Sequence, residues 1–240
     1  MNLLKNIYAN DLTLEIQNNL ILGDIHIGYE EALNKTGHLI PRFQFQDTIK
    51  RLENILKKKA YDTIILNGDI KHEFGTISDQ EWRDSLKILD LLAKHAKKVI
   101  LIKGNHDTIL GPIGEKRELT IVDEYMIEDT YICHGHIIPK TDAYKNAKIV
   151  IIGHEHPCIT LRDDARSEKF KCFLVGNFQK KTLIVMPSFN LVTTGTDVLT
   201  EQLLSPFLIN QKTLDDFSVY LVEDEVYAFG KIKQIKNQDK

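Results

Sequence analysis

The stretch KVILIKGNHD, residues 98–107, joins an apolar run directly to a cluster of polar side chains. Four apolar residues between a lysine and a lysine-glycine pair are typical of a short buried strand that enters a loop. In that loop, Asn105 offers an amide oxygen, which suits a hard cation as a neutral ligand. His106 could instead give a proton to a leaving group, with Asp107 fixing its tautomer. The spacing therefore predicts chemistry at the end of this strand.

Four other apolar segments end in the same way, in small or polar residues that could bind a cation. They are NLILGDIH at 19–26, TIILNGD at 63–69, YICHGH at 131–136 and KIVIIGHEH at 148–156. Residues two apart in an extended chain project to the same side, so Asp24 and His26 could hold one cation together. The carboxylate of Asp69 has about four lone-pair sites, which allows it to bridge two cations.

Each motif also has an ordinary structural explanation when it is taken alone. Asp-x-His and Gly-Asp pairs are common in turns, and a single histidine is more often a satisfied polar residue than a ligand. Coincidence at five successive strand ends is improbable, so the sequence predicts a metal site. The candidate ligands are Asp24, His26, Asp69, Asn105, His134, His154 and His156, and the candidate catalytic residues are His106 and Asp107.

The composition limits the classes of protein to which this chain can belong. With 240 residues, 42% of them hydrophobic, the chain can bury one full core. Lys and Arg number 31 against 34 for Asp and Glu, so a polyanion could bind only locally. The longest purely apolar runs, such as 99–102 and 149–152, fall far short of the ~20 residues that span a bilayer. We expect no membrane interaction.

The scattered cysteines, Cys133, Cys158 and Cys172, lack the paired spacing of a thiolate zinc site and do not suggest a disulfide framework. Lys5 and Asp11 interrupt what would be the apolar stretch of a signal peptide. A reducing cytoplasm is the expected location.

Helical and strand-like segments alternate in the first half of the chain. Apolar residues recur at helical spacing over 46–59 and 78–95, and Ser78 with Glu81 forms a candidate capping box. After about residue 118 the segments are strand-like, which predicts an α/β fold with a second, more antiparallel sheet.

The last strands are expected to form a hairpin that turns near residues 223–225. We expect a single catalytic domain over residues 1–230. The tail, residues 231–240, is expected to be frayed.

The motifs at the strand ends resemble those of the calcineurin-like metallophosphoesterase superfamily. The matching motifs are GDIH at 23–26, GD at 68–69, GNHD at 104–107, His134, and GHEH at 153–156. The resemblance implies a four-layer αββα sandwich of two mixed sheets and two divalent cations. Asp24, His26 and His156 would bind one cation, Asn105, His134 and His154 the other, and Asp69 would bridge them. His106 is implied as the catalytic histidine, with Asp107 as its orienting partner.

Mn(II) is favoured by this resemblance, although Fe(II), Co(II), Ni(II) and Zn(II) also suit oxygen and imidazole ligands. Two such cations ~3.5–4 Å apart would polarise phosphoryl oxygens and acidify a shared water, and the hydroxide would attack phosphorus in line. His106 would donate a proton to the leaving oxygen or stabilise its charge.

Within the superfamily, GDIHIGYE, GDIKHEFG, GHEHP and PSFN look like the archaeal SbcD-related proteins and the bacterial phosphoesterases associated with a DNA ligase and helicase. This implies a phosphodiesterase acting on nucleic acid ends or nucleotide-like diesters, with DNA or RNA as candidate substrates. A helicase or DNA-repair partner and a homo-oligomer are further candidates.

Other functions stay open at this point. A phosphomonoesterase or nucleotide pyrophosphatase would use the same ligands, whereas a non-catalytic interaction module would not need every ligand position filled. Lys71 could approach a phosphate or be a solvated loop lysine. The lysine-rich stretches 57–59 and 94–98 could contact a phosphate backbone or be solvated helix ends.

Overall fold

The computed structural model describes residues 1–39, 43–73, 77–107, 119–163, 166–209 and 212–238. The first of its two sheets has seven strands, which lie side by side in chain order. They are β1 (Asn2–Leu4), β2 (Ile7–Asn10), β3 (Thr13–Ile16), β4 (Asn19–Leu22), β5 (Tyr61–Asn67), β6 (Ala96–Ile102) and β7 (Thr120–Val122). Strands β1 to β4 pair antiparallel, and β4 to β7 pair parallel, so this sheet is mixed.

The second sheet is also mixed and has nine strands. They are β8 (Glu124–Ile127), β9 (Thr130–Cys133), β10 (Ile149–Ile152), β11 (Pro157–Asp163), β12 (Arg166–Phe178), β13 (Lys181–Val185), β14 (Thr196–Asp197), β15 (Ser218–Val222) and β16 (Val226–Lys231). Their spatial order is β14-β11-β12-β13-β10-β9-β8, with β15 pairing to β12 and β16 to β15. The predicted hairpin is confirmed, because β15 and β16 pair antiparallel around residues 223–225.

The helices are α1 (Tyr29–Lys35), α2 (Gln44–Leu56), α3 (Asp79–Ala93), α4 (Asp142–Asn146) and α5 (Ile232–Gln238), with one 3₁₀ turn at Leu214–Asp216. The predicted helices at 46–59 and 78–95 are confirmed to within a few residues. Ser78 Oγ accepts from the Glu81 N–H at 3.1 Å, and the Ser78 N–H donates to the Glu81 carboxylate at 2.8 Å, which is the predicted capping box. Among the described residues, no helix is long and apolar enough to cross a membrane.

Two apolar cores produce the predicted four layers. One core packs α2 and α3 on the first sheet and continues between the two sheets, and the other lies under α4 and α5 on the outer face of the second sheet. Strand β10 contributes side chains to both cores: Ile151 packs in the first core, and Val150 and Ile152 pack in the second. Alternation of side chains across a strand explains this division.

Parallel pairing brings the functional loops to common edges. In the first sheet Leu66 pairs with both Leu22 and Leu101, so β4, β5 and β6 end side by side. In the second sheet Ile152 pairs with Cys133, so β9 and β10 also end together. All five motifs follow directly after these aligned strand ends.

The tail differs from the prediction of a frayed segment. Residues 232–238 form α5, whose Ile232 and Ile235 are fully or almost fully buried in the second core. Lys233 and Lys236 also lie 2.7 and 2.8 Å from Asp216 and Asp215, respectively. The lysines of KIKQIKNQDK suggested a solvated tail, but the two isoleucines lie three apart and form an apolar face on a helix. Residues 239–240 lie outside the described part of the chain.

Truncating this face should destabilise the domain. Ile235→Ala removes a buried side chain and leaves a cavity, so we expect the free energy of unfolding to fall by about 2–5 kcal/mol in urea denaturation. The exposed Asn237→Ala on the same helix is the control and should change it by no more than about 0.5 kcal/mol. Equal stability of the two variants would mean that α5 is not docked.

Candidate metal centre

The carboxylate of Asp24 connects the loops of both sheets. Asp24 lies two residues after β4 and is 1% exposed. Its Oδ1 accepts from the backbone N–H of Asp69 in the first sheet's loops, and its Oδ2 accepts from that of His154 in the second sheet's loops, both at 3.0 Å. One side chain thus fixes the distance between two loops that carry candidate ligands.

One group of candidate ligands surrounds Asp24. The ligand atoms of Asp24, His26 and His156 all lie within 4.8 Å of one another. His156 Nε2 is 3.2 Å from Asp24 Oδ2, and His26 Nε2 is 3.8 Å from Asp69 Oδ2. His26, His154 and His156 have φ values of 51°, 63° and 51°. Such positive values are uncommon for residues other than glycine and tend to cluster at functional sites.

A second group of candidate ligands meets at His134. Its Nε2 lies 2.9 Å from Asn105 Oδ1, 3.1 Å from His154 Nδ1 and 3.5 Å from Asp69 Oδ2. Its other nitrogen, Nδ1, is 3.1 Å from Asp24 Oδ1. The carboxylate of Asp69 therefore faces both groups. The structure brings together all seven predicted ligand residues in this way.

Glycines at the strand ends make the close approach possible. A Cβ atom on Gly104 would lie 1.9 Å from Asp69 Oδ1, and one on Gly68 would lie 2.2 Å from His134 Nδ1. Gly68 also has a φ of 109°, which L side chains rarely adopt. Any side chain at these two positions would push a candidate ligand out of place.

Burial and neighbouring charges shift the pKa values of several candidate ligands. Burial and the nearby charge of Asp24 raise the pKa of Asp69 to about 8. Burial raises the pKa of Asp24 as well, but His134 and His156 outweigh this effect and the pKa falls well below its usual range. Burial, together with the charge of His134, lowers the pKa of His154 to about 4, so its imidazole is neutral at pH 7 and keeps a lone pair for a cation.

Orphaned nitrogens show that this arrangement fits cations. Within the described residues, the buried atoms His26 Nδ1 and His156 Nε2 have no hydrogen-bond partner, although His156 Nε2 lies close to Asp24. Buried polar atoms are normally satisfied, and a bound ion is a common explanation when they are not. Carboxylate, amide and imidazole donors without thiolate suit Mn, Fe, Co, Ni or Zn.

Sequence comparison agrees with the geometry. The pattern of the family described as calcineurin-like phosphoesterase matches residues 19–145, more than half of the chain. The chain belongs to this family. Members of the family hydrolyse phosphoesters with divalent metals, and this calcineurin-like phosphoesterase has candidate ligand groups for them. The match ends before His154 and His156, which the fold brings to the site. No curated protein sequence matches the chain.

One solved structure of low sequence identity shares the fold, and two others match the chain with lower structural similarity. A nuclease, MPE from Pseudomonas putida, is 22% identical with a TM-score of 0.61, over 91% of this chain and 92% of that one. YfcE, a phosphoesterase from E. coli, is 11% identical with a TM-score of 0.37, over 90% and 94%. Vps29 from Entamoeba histolytica, complexed with Zn²⁺, is 19% identical with a TM-score of 0.37, over 88% and 96%.

His106 and Asp107 lie in this calcineurin-like phosphoesterase beside the ligands, but not in the predicted relation. His106 Nδ1 contacts the backbone carbonyl oxygen of His72, which fixes its tautomer in the role predicted for Asp107. The carboxylate of Asp107 instead accepts from the backbone N–H groups of Ile70 at 3.2 Å and Gly104 at 3.1 Å. Asp107 therefore shapes the loop that carries the ligands, and the prediction that it orients His106 is corrected.

The environment of Lys71 also matches neither of the two roles that the sequence suggested for it. It is completely buried, and its Nζ donates to the carbonyl oxygen of His106 at 2.7 Å and to that of Glu73. Its amine is therefore committed to holding the His106 loop and is neither a solvated lysine nor pointed at a phosphate. A buried charge needs such partners, and a lysine in a loop carries no local signal of them.

Two residues that sequence reasoning missed support the His26 turn. The side-chain amide of Gln44 donates to the carbonyl oxygens of Ile25 at 3.3 Å and His26 at 3.1 Å. Asn190 Nδ2 donates to the same two oxygens at 3.2 and 3.5 Å. Both amides are buried and come from distant parts of the chain. Asn190 ends the PSFN motif, whose role the sequence left unassigned, whereas no local pattern marks Gln44.

Adding one methyl group at Gly104 should disrupt the centre. Gly104→Ala places its Cβ against Asp69 Oδ1, so we expect the affinity for Mn(II) to fall at least about 10-fold in calorimetric titration. The neighbouring Lys103→Ala, at an exposed side chain, is the control and should bind Mn(II) like the unmodified protein. Unchanged affinity in Gly104→Ala would mean that Asp69 is not a ligand.

Proposed function

We propose that this protein is a two-metal phosphodiesterase that acts on nucleic acid ends or nucleotide-like phosphodiesters. The observation that carries the proposal is the position of Asp69, whose Oδ2 lies 3.8 Å from His26 Nε2 in one ligand group and 3.5 Å from His134 Nε2 in the other. Such a carboxylate is suited to bridge two cations. Asp24, His26 and His156 would hold one cation, and Asn105, His134 and His154 the other.

Cations bound there would polarise a phosphoryl oxygen and lower the pKa of a bound water, and Mn(II) is the metal we propose. A pocket of about 270 Å³ beside them is lined by His26, Tyr29, His72 and His106, among others. The substrate phosphate would lie in this pocket, because His106 lines it together with four of the seven candidate ligands, namely His26, Asp69, His154 and His156.

His106 is proposed to assist the leaving group. Its Nδ1 faces the His72 carbonyl oxygen and so carries the proton of the neutral ring, which makes Nε2 the basic nitrogen that can accept a proton. Burial lowers the pKa of His106 to about 4, so this ring is neutral at pH 7 before substrate binds. A phosphoryl anion beside Nε2 favours the protonated ring, and the charged ring can then give its proton to the leaving oxygen.

Nucleic acid is the proposed substrate class because of the likeness to SbcD-related motifs. The fold is also shared, almost end to end, with a Pseudomonas putida protein described as a nuclease. A cytoplasmic location and a helicase or DNA-repair partner remain part of the proposal. All predicted ligand positions and His106 are filled, which favours an enzyme over an interaction module.

The deciding experiment compares substrate classes on the purified protein with added Mn(II). Bis(p-nitrophenyl) phosphate tests diesterase activity, p-nitrophenyl phosphate tests monoesterase activity, and single-stranded DNA, duplex DNA and RNA test the natural polymer. We expect the diester to be hydrolysed faster than the monoester, and chelation by EDTA to abolish both reactions. Monoester hydrolysis with negligible diester hydrolysis would favour a phosphomonoesterase.

Removal of the proposed acid should affect turnover and leave metal binding intact. For His106→Ala we expect kcat on the diester to fall about 100- to 10,000-fold, the usual contribution of a positioned acid. Mn(II) content should stay unchanged, since His106 is not among the proposed ligands. His95→Ala is the matched histidine control, because His95 lies two residues after the end of α3, away from the site. Full activity of His106→Ala would refute the role assigned to this ring.

A further inference from the structure

A groove lined by basic side chains lies next to the metal pocket. It has a volume of about 410 Å³ and is formed by α2, β12 and residues 191–194. Its polar and charged side chains from the helix and strand are Asp47, Lys50, Arg51, Asn54 and Lys171. Three of the four charged groups are cations, in a chain whose net charge is −3. The groove is thus a local basic site on an acidic protein.

The groove and the metal pocket adjoin each other at one residue. Thr193 lines both of them, and Asn190 in the same loop holds the carbonyl oxygens of the His26 turn. Lys171 in the groove also contacts this loop, because its Nζ donates to the carbonyl oxygen of Thr194 at 3.2 Å. An extended ligand bound at the metals can therefore continue over Thr193 into the groove.

Lys171 is held at the base of the groove. Its Nζ donates to Ser188 Oγ at 2.8 Å and to the Thr194 carbonyl oxygen at 3.2 Å. An ammonium group has three N–H donors, so one remains for a ligand. Burial lowers the pKa of Lys171 to about 7, and an anion in the groove would stabilise the charged form.

The two cations of α2 differ in their environment. Arg51 makes a bidentate interaction with Asp11, with nitrogen-oxygen distances of 2.5 to 3.0 Å, so its charge is balanced and its position is fixed. Lys50 is exposed one residue earlier. Lys50, together with Lys171 once a bound anion stabilises its charged form, therefore provides the positive charge that Asp11 does not balance.

The lysine-rich stretches named from the sequence lie elsewhere. Lys58 donates to Asn10 at 2.7 Å, Lys59 lies 2.6 Å from Glu15, and Lys97 lies 2.7 Å from Asp62. All three lysines lie near the beginnings of β5 and β6. The metal centre follows the opposite ends of these strands. Their role as solvated helix ends is thus the better interpretation.

We infer that the groove binds the phosphate backbone of a nucleic acid strand next to the phosphate held at the metals. This inference rests on the proposed diesterase function. A strand that places one phosphate at the metals presents further phosphates at regular spacing, and Lys50 and Lys171 are placed to meet them. Phosphate contacts of this kind position a strand without reading its sequence.

The test measures how cleavage depends on substrate length. For the unmodified protein with Mn(II), kcat/KM is measured on single-stranded oligonucleotides from two to about ten nucleotides, at several salt concentrations. We expect kcat/KM to rise about 10-fold once the strand is long enough to enter the groove. In Lys50→Glu this gain should disappear, and the slope of log(kcat/KM) against log salt should become shallower by about one.

Two further variants complete the design. Lys97→Ala, which removes a fully exposed lysine at the far end of the sheet, should keep both the length-dependent gain and the salt slope. Lys171→Met should lose the gain like Lys50→Glu. If its thermal unfolding shows that it does not fold, Lys50→Glu alone decides, since that side chain is exposed.

The outcomes separate the two proposals. If bis(p-nitrophenyl) phosphate is hydrolysed but strand length has no effect, or Lys50→Glu keeps the gain, the groove inference is wrong and the diesterase proposal stands. If no diester is hydrolysed, both are wrong. Competition by poly-glutamate as strong as that by an oligonucleotide, and equally dependent on Lys50, would mean a general polyanion groove and overturn the assignment to nucleic acid.

Discussion

The rest of the site depends on the two hydrogen bonds that the Asp24 carboxylate accepts. Each of its oxygens accepts a hydrogen bond from a backbone N–H in a loop of a different sheet, one from Asp69 and one from His154. Two imidazoles, those of His134 and His156, lie within 3.2 Å of the same carboxylate. A single buried anion therefore sets the spacing of both ligand groups. Burial of that anion is tolerated because each oxygen has an N–H donor and a nearby imidazole.

Close approach of backbone and side chains is the second requirement of this architecture. Gly68 and Gly104 leave no room for a side chain beside the candidate ligands, and His26, His154 and His156 adopt positive φ. Left-handed backbone costs free energy at residues other than glycine, so the surrounding contacts must hold these turns in place. The hydrogen bonds from Gln44 and Asn190 to the His26 turn are such contacts.

The two ends of the first sheet have different chemistry. Strands β4, β5 and β6 end at the ligand loops, where buried carboxylates and imidazoles face each other. Their other ends carry exposed lysines paired with acids, such as Lys97 with Asp62. In the groove next to the metal pocket, the lysines come instead from α2 and β12, as Lys50 and Lys171. A count of basic residues along the chain does not separate these two groups of lysines, because Lys50 lies in α2 while Lys58 and Lys59 follow directly after its end.

The sequence by itself determined the α/β order, the helices at 46–59 and 78–95, and the residues at the strand ends, because these depend on spacing within short segments. It could not reveal the partner of His106, the burial of Lys71 or the docking of Ile235. Each of these depends on a residue or core far away in the chain or on exclusion of water, which local patterns do not encode. The position of Lys171 is of the same kind, since tertiary packing alone brings β12 beside α2 and residues 191–194.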